Sequence, residues 1–103
     1  MKNILKPVHA GDILFEEFMQ PYKLTEYKLS QITGISQTHI GRIIKGKRSV
    51  TVDTALRLAK VFNTSPEFWL NIQNKYDLDT MKIETKEAIK KIQPIEKYVL
   101  AKC

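Results

Sequence analysis

Gln37, Thr38 and Arg42, with Ser36, His39, Lys45, Lys47 and Arg48 around them, gather an amide, a hydroxyl and a guanidinium into one short cationic stretch. These are the groups that pair with the edges of bases and with phosphate oxygens. A glutamine amide meets adenine through two hydrogen bonds, and an arginine meets guanine in the same way. Ser36, His39, Lys45, Lys47 and Arg48 suit phosphate, which positions a protein on a duplex without reading its sequence. The window 37–60 holds Arg42, Lys45, Lys47, Arg48, Arg57 and Lys60 against Asp53 alone, so most of the net charge of +6 lies there. Such a local cluster gains affinity for a polyanion by releasing its counterions.

Two short helices are needed to present these groups. Thr25 is an N-cap, Leu24 staples onto Leu29, and Leu29 with Ile32 gives the i, i+3 apolar spacing of an amphipathic helix. Gly34 ends that helix in a left-handed turn, Ile35 plugs the corner, and Ser36 caps a second helix that buries Ile40, Ile43 and Ile44. Its other face carries Gln37, Thr38, His39, Gly41, Arg42 and Lys45. Two helices joined at a glycine occur in many helical proteins, so capping and periodicity alone do not point to DNA. The charge distribution does, because it follows the helix that would enter a major groove.

At 103 residues and 43% apolar, the chain is one all-α domain with a modest core. No stretch approaches the roughly 20 apolar residues of a membrane span, and MKNILKPVHAGD lacks the apolar centre of a signal peptide, so a cytoplasmic protein is expected. Cys103 is the single cysteine, and His9 and His39 have no partner at metal spacing. No metal, cofactor or small-molecule substrate is expected. Glu16 and Glu17 point about 100° apart on a helix and cannot converge as an acid pair. With no nucleophile–base pair elsewhere, the chain reads as a binding protein and not an enzyme.

The remaining elements follow from punctuation. Residues 1–9 read as an arm, and Ala10 to about Gln20 as a first helix burying Ile13, Leu14 and Phe18, closed by Pro21. Gly46 ends the second helix of the pair and brings the amides and side chains of Lys47 and Arg48 beside phosphate. A fourth helix, capped by Thr51, is built on Val52, Ala55, Leu56, Ala59 and Phe62. Ser65, Pro66 and Glu67 start a fifth. It carries Phe68, Trp69, Leu70, Ile72 and Tyr76, more apolar surface than one small domain needs, so Phe68, Trp69, Leu70 and Ile72 are candidates for a dimer contact. Beyond residue 78, mixed charge and Pro94 predict a solvated helix no longer than about Gln93 or a partly ordered tail, with 96–102 able to pair as a strand.

These residues resemble a known family. The run His9-Ala10-Gly11-Asp12-Ile13-Leu14-Phe15-Glu16-Glu17-Phe18, the core Gly34, Ile35, Ser36, Arg42, Ile43, Gly46, Lys47 and Arg48, and the downstream Ala55-Leu56-Arg57-Leu58-Ala59, Thr64-Ser65-Pro66-Glu67-Phe68-Trp69-Leu70-Asn71-Ile72-Gln73 and Tyr76-Asp77-Leu78 are similar to those of HigA-type antitoxins. These belong to the lambda-repressor-like, XRE-type helix-turn-helix superfamily. The resemblance covers about residues 7–78, and its flanks separate an antitoxin from a generic repressor. It implies a five-helix lambda-repressor-like domain over 10–78, an arm over 1–9 and a helical or partly ordered extension over 79–103. It further implies a homodimer on a palindromic operator in double-stranded DNA that represses its own operon and sequesters a HigB-like toxin of the mRNA-cleaving RelE group. A free-standing XRE-type repressor of phage or plasmid origin is the alternative.

The chain departs from the family pattern at Ala10, Ser30, Thr33 and Gly41. An interior helical glycine costs about 1 kcal/mol against alanine. Gly41 therefore implies either a close backbone approach or the loss of a serine contact to phosphate.

Overall fold

Four hydroxyl side chains start the four principal helices. Thr25 caps α2 (Glu26–Thr33), Ser36 caps α3 (Gln37–Ile44), Thr51 caps α4 (Val52–Phe62) and Ser65 caps α5 (Pro66–Glu84). Each cap residue is extended, and its oxygen accepts an amide of the first turn: Lys28 at 3.0 Å, His39 at 3.1 Å, Thr54 at 3.4 Å and Phe68 at 3.0 Å. Such caps contribute about 1 kcal/mol apiece. Left-handed residues stop three of these helices: Gly34 at φ 80°, Gly46 at φ 74° and Asn63 at φ 56°. The computed structural model describes residues 7–99. The arm before Pro7, Cys103 and the end of the 96–102 segment lie outside them.

The first helix departs from expectation. α1 spans Ala10–Ile13 and passes into a π-helical segment, Leu14–Met19, closed by the Gln20 amide donating to the Phe15 carbonyl at 2.9 Å. Widening the turn to five-residue spacing lets Leu14 and Met19 both reach the core, where Leu14 is 0% and Met19 1% exposed. In an α-helix residues five apart diverge by about 140°. Ile13 and Phe18 are half-buried beside them. Pro21, lacking an N–H, ends the ladder.

Gly11 is what lets this segment lie on α3. A Cβ built there would stand 1.9 Å from the carbonyl oxygen of Ile43 and 2.9 Å from the Cα of Ile44. The two backbones therefore touch where any other residue would hold them apart. Below this contact Leu14, Leu29, Ile40, Ile43, Leu58 and Trp69 form the core. Trp69 is fully buried; its Nε1 donates to Thr64 Oγ1 at 2.8 Å, and its ring centroid lies 5.0 Å from that of Phe18 and 5.1 Å from that of Phe68. Trp69 is thus a core residue and cannot serve the dimer contact expected of it, whereas Phe68 is exposed and Leu70 and Ile72 are half-buried.

Three apolar residues expected inside are outside: Ile32 is 51%, Leu56 54% and Val52 62% exposed. Two i, i+4 rows run along α4, and the one carrying Ala55 and Ala59 faces inward with Thr54 and Leu58, because small side chains allow the helices to approach. Val52 and Leu56 lie about 60° round the helix from that row, on the side away from Thr54 and Leu58. Ile32 and Leu56 instead line an open groove between α2 and α4.

α5 runs without a break past residue 78, so the extension begins inside a helix. It continues through α6 (Lys86–Lys90) and a 3-10 turn (Ile95–Lys97) that takes up the start of the stretch able to pair as a strand; no facing strand is present among the described residues. None of residues 86–99 is buried, and the molecule extends 64 × 29 × 22 Å.

The two helical glycines predict opposite outcomes. Gly11→Ala must move backbone and should lower stability by about 3 kcal/mol. At Gly41 no backbone is close; the nearest atom to a built Cβ is Glu26 Oε1 at 3.1 Å, the tip of a flexible side chain. Gly41→Ala should therefore gain up to about 1 kcal/mol. Urea midpoints of the two variants check both signs.

Candidate nucleic-acid interface

α3 presents its polar face because its apolar face is anchored. Ile40 and Ile43 are buried and Ile44 half-buried, which leaves Gln37, Thr38, Arg42 and Lys45 exposed. The helix ends in a Schellman motif around Gly46, whose amide donates to the Ile43 carbonyl at 3.0 Å while the Lys47 amide donates to the Arg42 carbonyl at 2.8 Å. The left-handed turn at Gly46 is as expected, but the Lys47 amide is already engaged and offers nothing to phosphate. Lys47 and Arg48 present exposed side chains instead. Gln37, Thr38, Arg42, Lys45 and Lys47 line a single open concavity of about 640 Å³, together with Gly41 and Glu26.

Ser36, His39 and Arg48 do not line it. Ser36 Oγ accepts the His39 amide and keeps its own O–H to donate. His39 is half-buried, and its Nε2 is enclosed without a hydrogen-bond partner. Burial first, then the positive charge of Arg48, holds its pKa below the ordinary 6.5, with Asp53 opposing. A phosphate contact through Nε2 would require the ring to turn outward.

The cations of the 37–60 window are not equivalent. Arg57 is drawn away from any ligand: its Nε pairs with Asp53 Oδ2 at 3.0 Å and its Nη1 donates to the Thr33 carbonyl at 2.7 Å. That carbonyl belongs to the negative end of α2, so Arg57 fastens α4 to the turn between α2 and α3.

A second brace holds the basic loop. Gln73, on α5 and only 4% exposed, accepts the Val50 amide on Oε1 at 2.9 Å and donates from Nε2 to Asp77 Oδ1 at 3.0 Å. Sequence reasoning passed over Gln73, although a glutamine one turn after Trp69 on the buried face is a detectable signal. His9 supplies a third brace. Its Nδ1 accepts the Gly11 amide at 2.9 Å to cap α1, and its ring meets Tyr76 of α5 edge-on at 4.7 Å. A Cβ at Gly46 would lie 3.9 Å from its Cγ, so the imidazole joins α1, α5 and the end of α3. Among the described residues no group of three His, Cys, Asp or Glu side chains could hold a metal ion, and no helix is long and apolar enough to cross a membrane.

The helix-turn-helix family profile HTH_3 matches residues 15–69. The chain is 37% identical to virulence-associated protein I of Dichelobacter nodosus over 94 residues, covering 91% of this chain and 86% of that protein. It is 32% identical to antitoxin HigA-1 of Vibrio cholerae over 90 residues, covering 87% and 85%. Its fold matches that of the Pseudomonas aeruginosa antitoxin HigA with higBA promoter at a TM-score of 0.83 and 31% identity, over 86% of this chain and 98% of that one.

Acid should weaken the braces. Burial lowers the pKa of His9, against the raising effect of Asp12 and Asp77, and His39 is lowered too. Stability from the neutral rings is present above 6.5 and is lost as pH falls through the lowered folded-state values, because the unfolded chain binds those protons first. Urea midpoints should drop between pH 7 and 5, and His9→Asn, which keeps a capping oxygen, should flatten the drop. Gln73→Leu leaves the Val50 amide unsatisfied and should cost about 1–3 kcal/mol. In duplex binding, the same variant should lose affinity without changing base preference.

Proposed function

The chain belongs to the XRE-type helix-turn-helix family, among relatives of the HigA antitoxins, and on that premise we propose that it binds a palindromic operator as a homodimer, represses its own operon and neutralises a HigB/RelE-like mRNA-cleaving toxin by direct contact. The concavity that unites Gln37, Thr38 and Arg42 with Lys45 and Lys47 carries the DNA-binding part of this reading. Gln37 reads adenine, Arg42 reads guanine, and Thr38 accepts or donates at either edge. Lys45, Lys47, Arg48 and Ser36 hold the flanking phosphates, with His39 joining them once its ring turns. Residues 10–78 are the DNA-binding domain.

A dimer would place two copies of α3 about 34 Å apart, one turn of duplex. Phe68, Leu70 and Ile72 remain available for its contact. The extension adds Leu78, Met81 and Ile89, which are more than a third exposed along one groove of α5 and α6. The reading places the protein in the cytoplasm, where operator and messenger both lie.

A salt-titrated binding assay on the chain's own promoter DNA and on a scrambled duplex tests it. Two chains should bind per operator, with selectivity that Arg42→Ala lowers by about 1–3 kcal/mol at one guanine. Lys47→Ala should weaken both duplexes alike and reduce the salt slope by about one. Equal weak binding to both duplexes by the native chain would overturn the DNA-binding part. Where a small RNase-sized protein is encoded beside it, co-expression with that protein should rescue growth; operator binding with no such neighbour, or without rescue, would make the chain a free-standing repressor.

A further inference from the structure

A carboxylate stands among the cations of the concavity. Glu26 is the first residue of α2, where the helix amides favour a negative side chain. It nevertheless reaches across to α3 over the bare backbone of Gly41: a Cβ there would lie 3.1 Å from Oε1, 3.8 Å from Cδ and 4.0 Å from Oε2. Arg42, Lys45 and Lys47 line the same concavity, yet Glu26 forms no ion pair with any described residue. Its oxygens are therefore open to a ligand. Among the described residues lining the concavity, it is the one side chain that can only accept hydrogen bonds as a carboxylate.

An acceptor facing a duplex is repelled by phosphate and by acceptor edges, guanine N7 and O6 and thymine O4 among them. It gains only against an exocyclic amino group, and the amino group that pairs with glutamate is cytosine N4. We propose that Glu26 is a specificity-determining residue that accepts a hydrogen bond from a cytosine amino group at or next to the base pair read by Arg42, with Gly41 kept bare to give it passage. This rests on the DNA-binding reading above and extends base recognition from α3 to α2. Where no cytosine stands at that position, the carboxylate opposes binding, so it rejects wrong sequences as well as favouring the right one.

The test is selection of bound duplexes from a pool randomised across one half-site, with wild type, Glu26→Gln and Gly41→Ala compared by sequencing the bound fraction. Wild type should favour cytosine at one position by about tenfold. Glu26→Gln, nearly the same shape but bearing a donor, should lose that preference or move it to adenine while all other positions stay unchanged. Gly41→Ala keeps the charge but crowds the carboxylate, and should weaken the same position. Uniformly tighter binding by Glu26→Gln, with every preference intact, would overturn the proposal and leave Glu26 a bystander charge. If preferences that depend on Arg42 persist while no cytosine position responds to Glu26→Gln, the inference fails alone; if wild type shows no preference anywhere, the DNA-reading assignment fails with it.

Discussion

The presentation of α3 depends on how closely the first helix can lie against its carboxyl-terminal end. At Gly11 the chain has no side chain, and a single added carbon would occupy the place of the Ile43 carbonyl oxygen. This backbone contact sets the depth at which Leu14 and Met19 enter the core. It also sets the position of His9, which caps the same helix and rests against both Tyr76 and the Gly46 turn. Lifting α1 would loosen the floor under Ile40 and Ile43, and with it the angle at which Gln37 and Arg42 are offered.

Around this contact, polar groups do structural work that a count of charges hides. Arg57 closes the end of α2 and never faces the concavity, the Lys47 amide closes the end of α3, and Gln73 holds Val50 beneath the basic loop. What remains for a ligand is a smaller and more ordered set of donors than the bare sequence suggests. Each is mounted on an element braced at both ends, and pre-ordered groups lose less entropy on binding.

Helix starts and stops were the readable part of the sequence. Thr25, Ser36, Thr51, Ser65, Gly34 and Gly46 do their work through local geometry that depends on immediate neighbours, so local reasoning places them. Which face of a helix turns inward was less readable. Val52 with Leu56 and Ala55 with Ala59 are equally good i, i+4 rows, and only the space left by α2 and α5 chooses between them. Trp69 illustrates the same difficulty, since surplus apolar surface on α5 was evident but its division between core and exterior was not. Of the residues that line the concavity, those on α3 were legible from one helix. Glu26 was not, nor was the brace at Gln73, because each acts across a gap in sequence: Glu26 over Gly41, and Gln73 on Val50.

The π-helical segment has a consequence for how this chain can vary. Because Leu14 and Met19 reach the core at a spacing of five, the segment holds one residue more than an ordinary α-helix needs to bring two side chains to one face. Deleting one residue between them would leave them four apart, about 40° round an α-helix, so ordinary winding could keep both in the core and Gly11 against α3. Adding one would set them six apart, about 120° from each other on an α-helix, and Gly11 could then face α3 only if Met19 left the core. Chains of this design should therefore accept the loss of one residue on the exposed side of the segment, at Phe15 or Glu17, more readily than the gain of one.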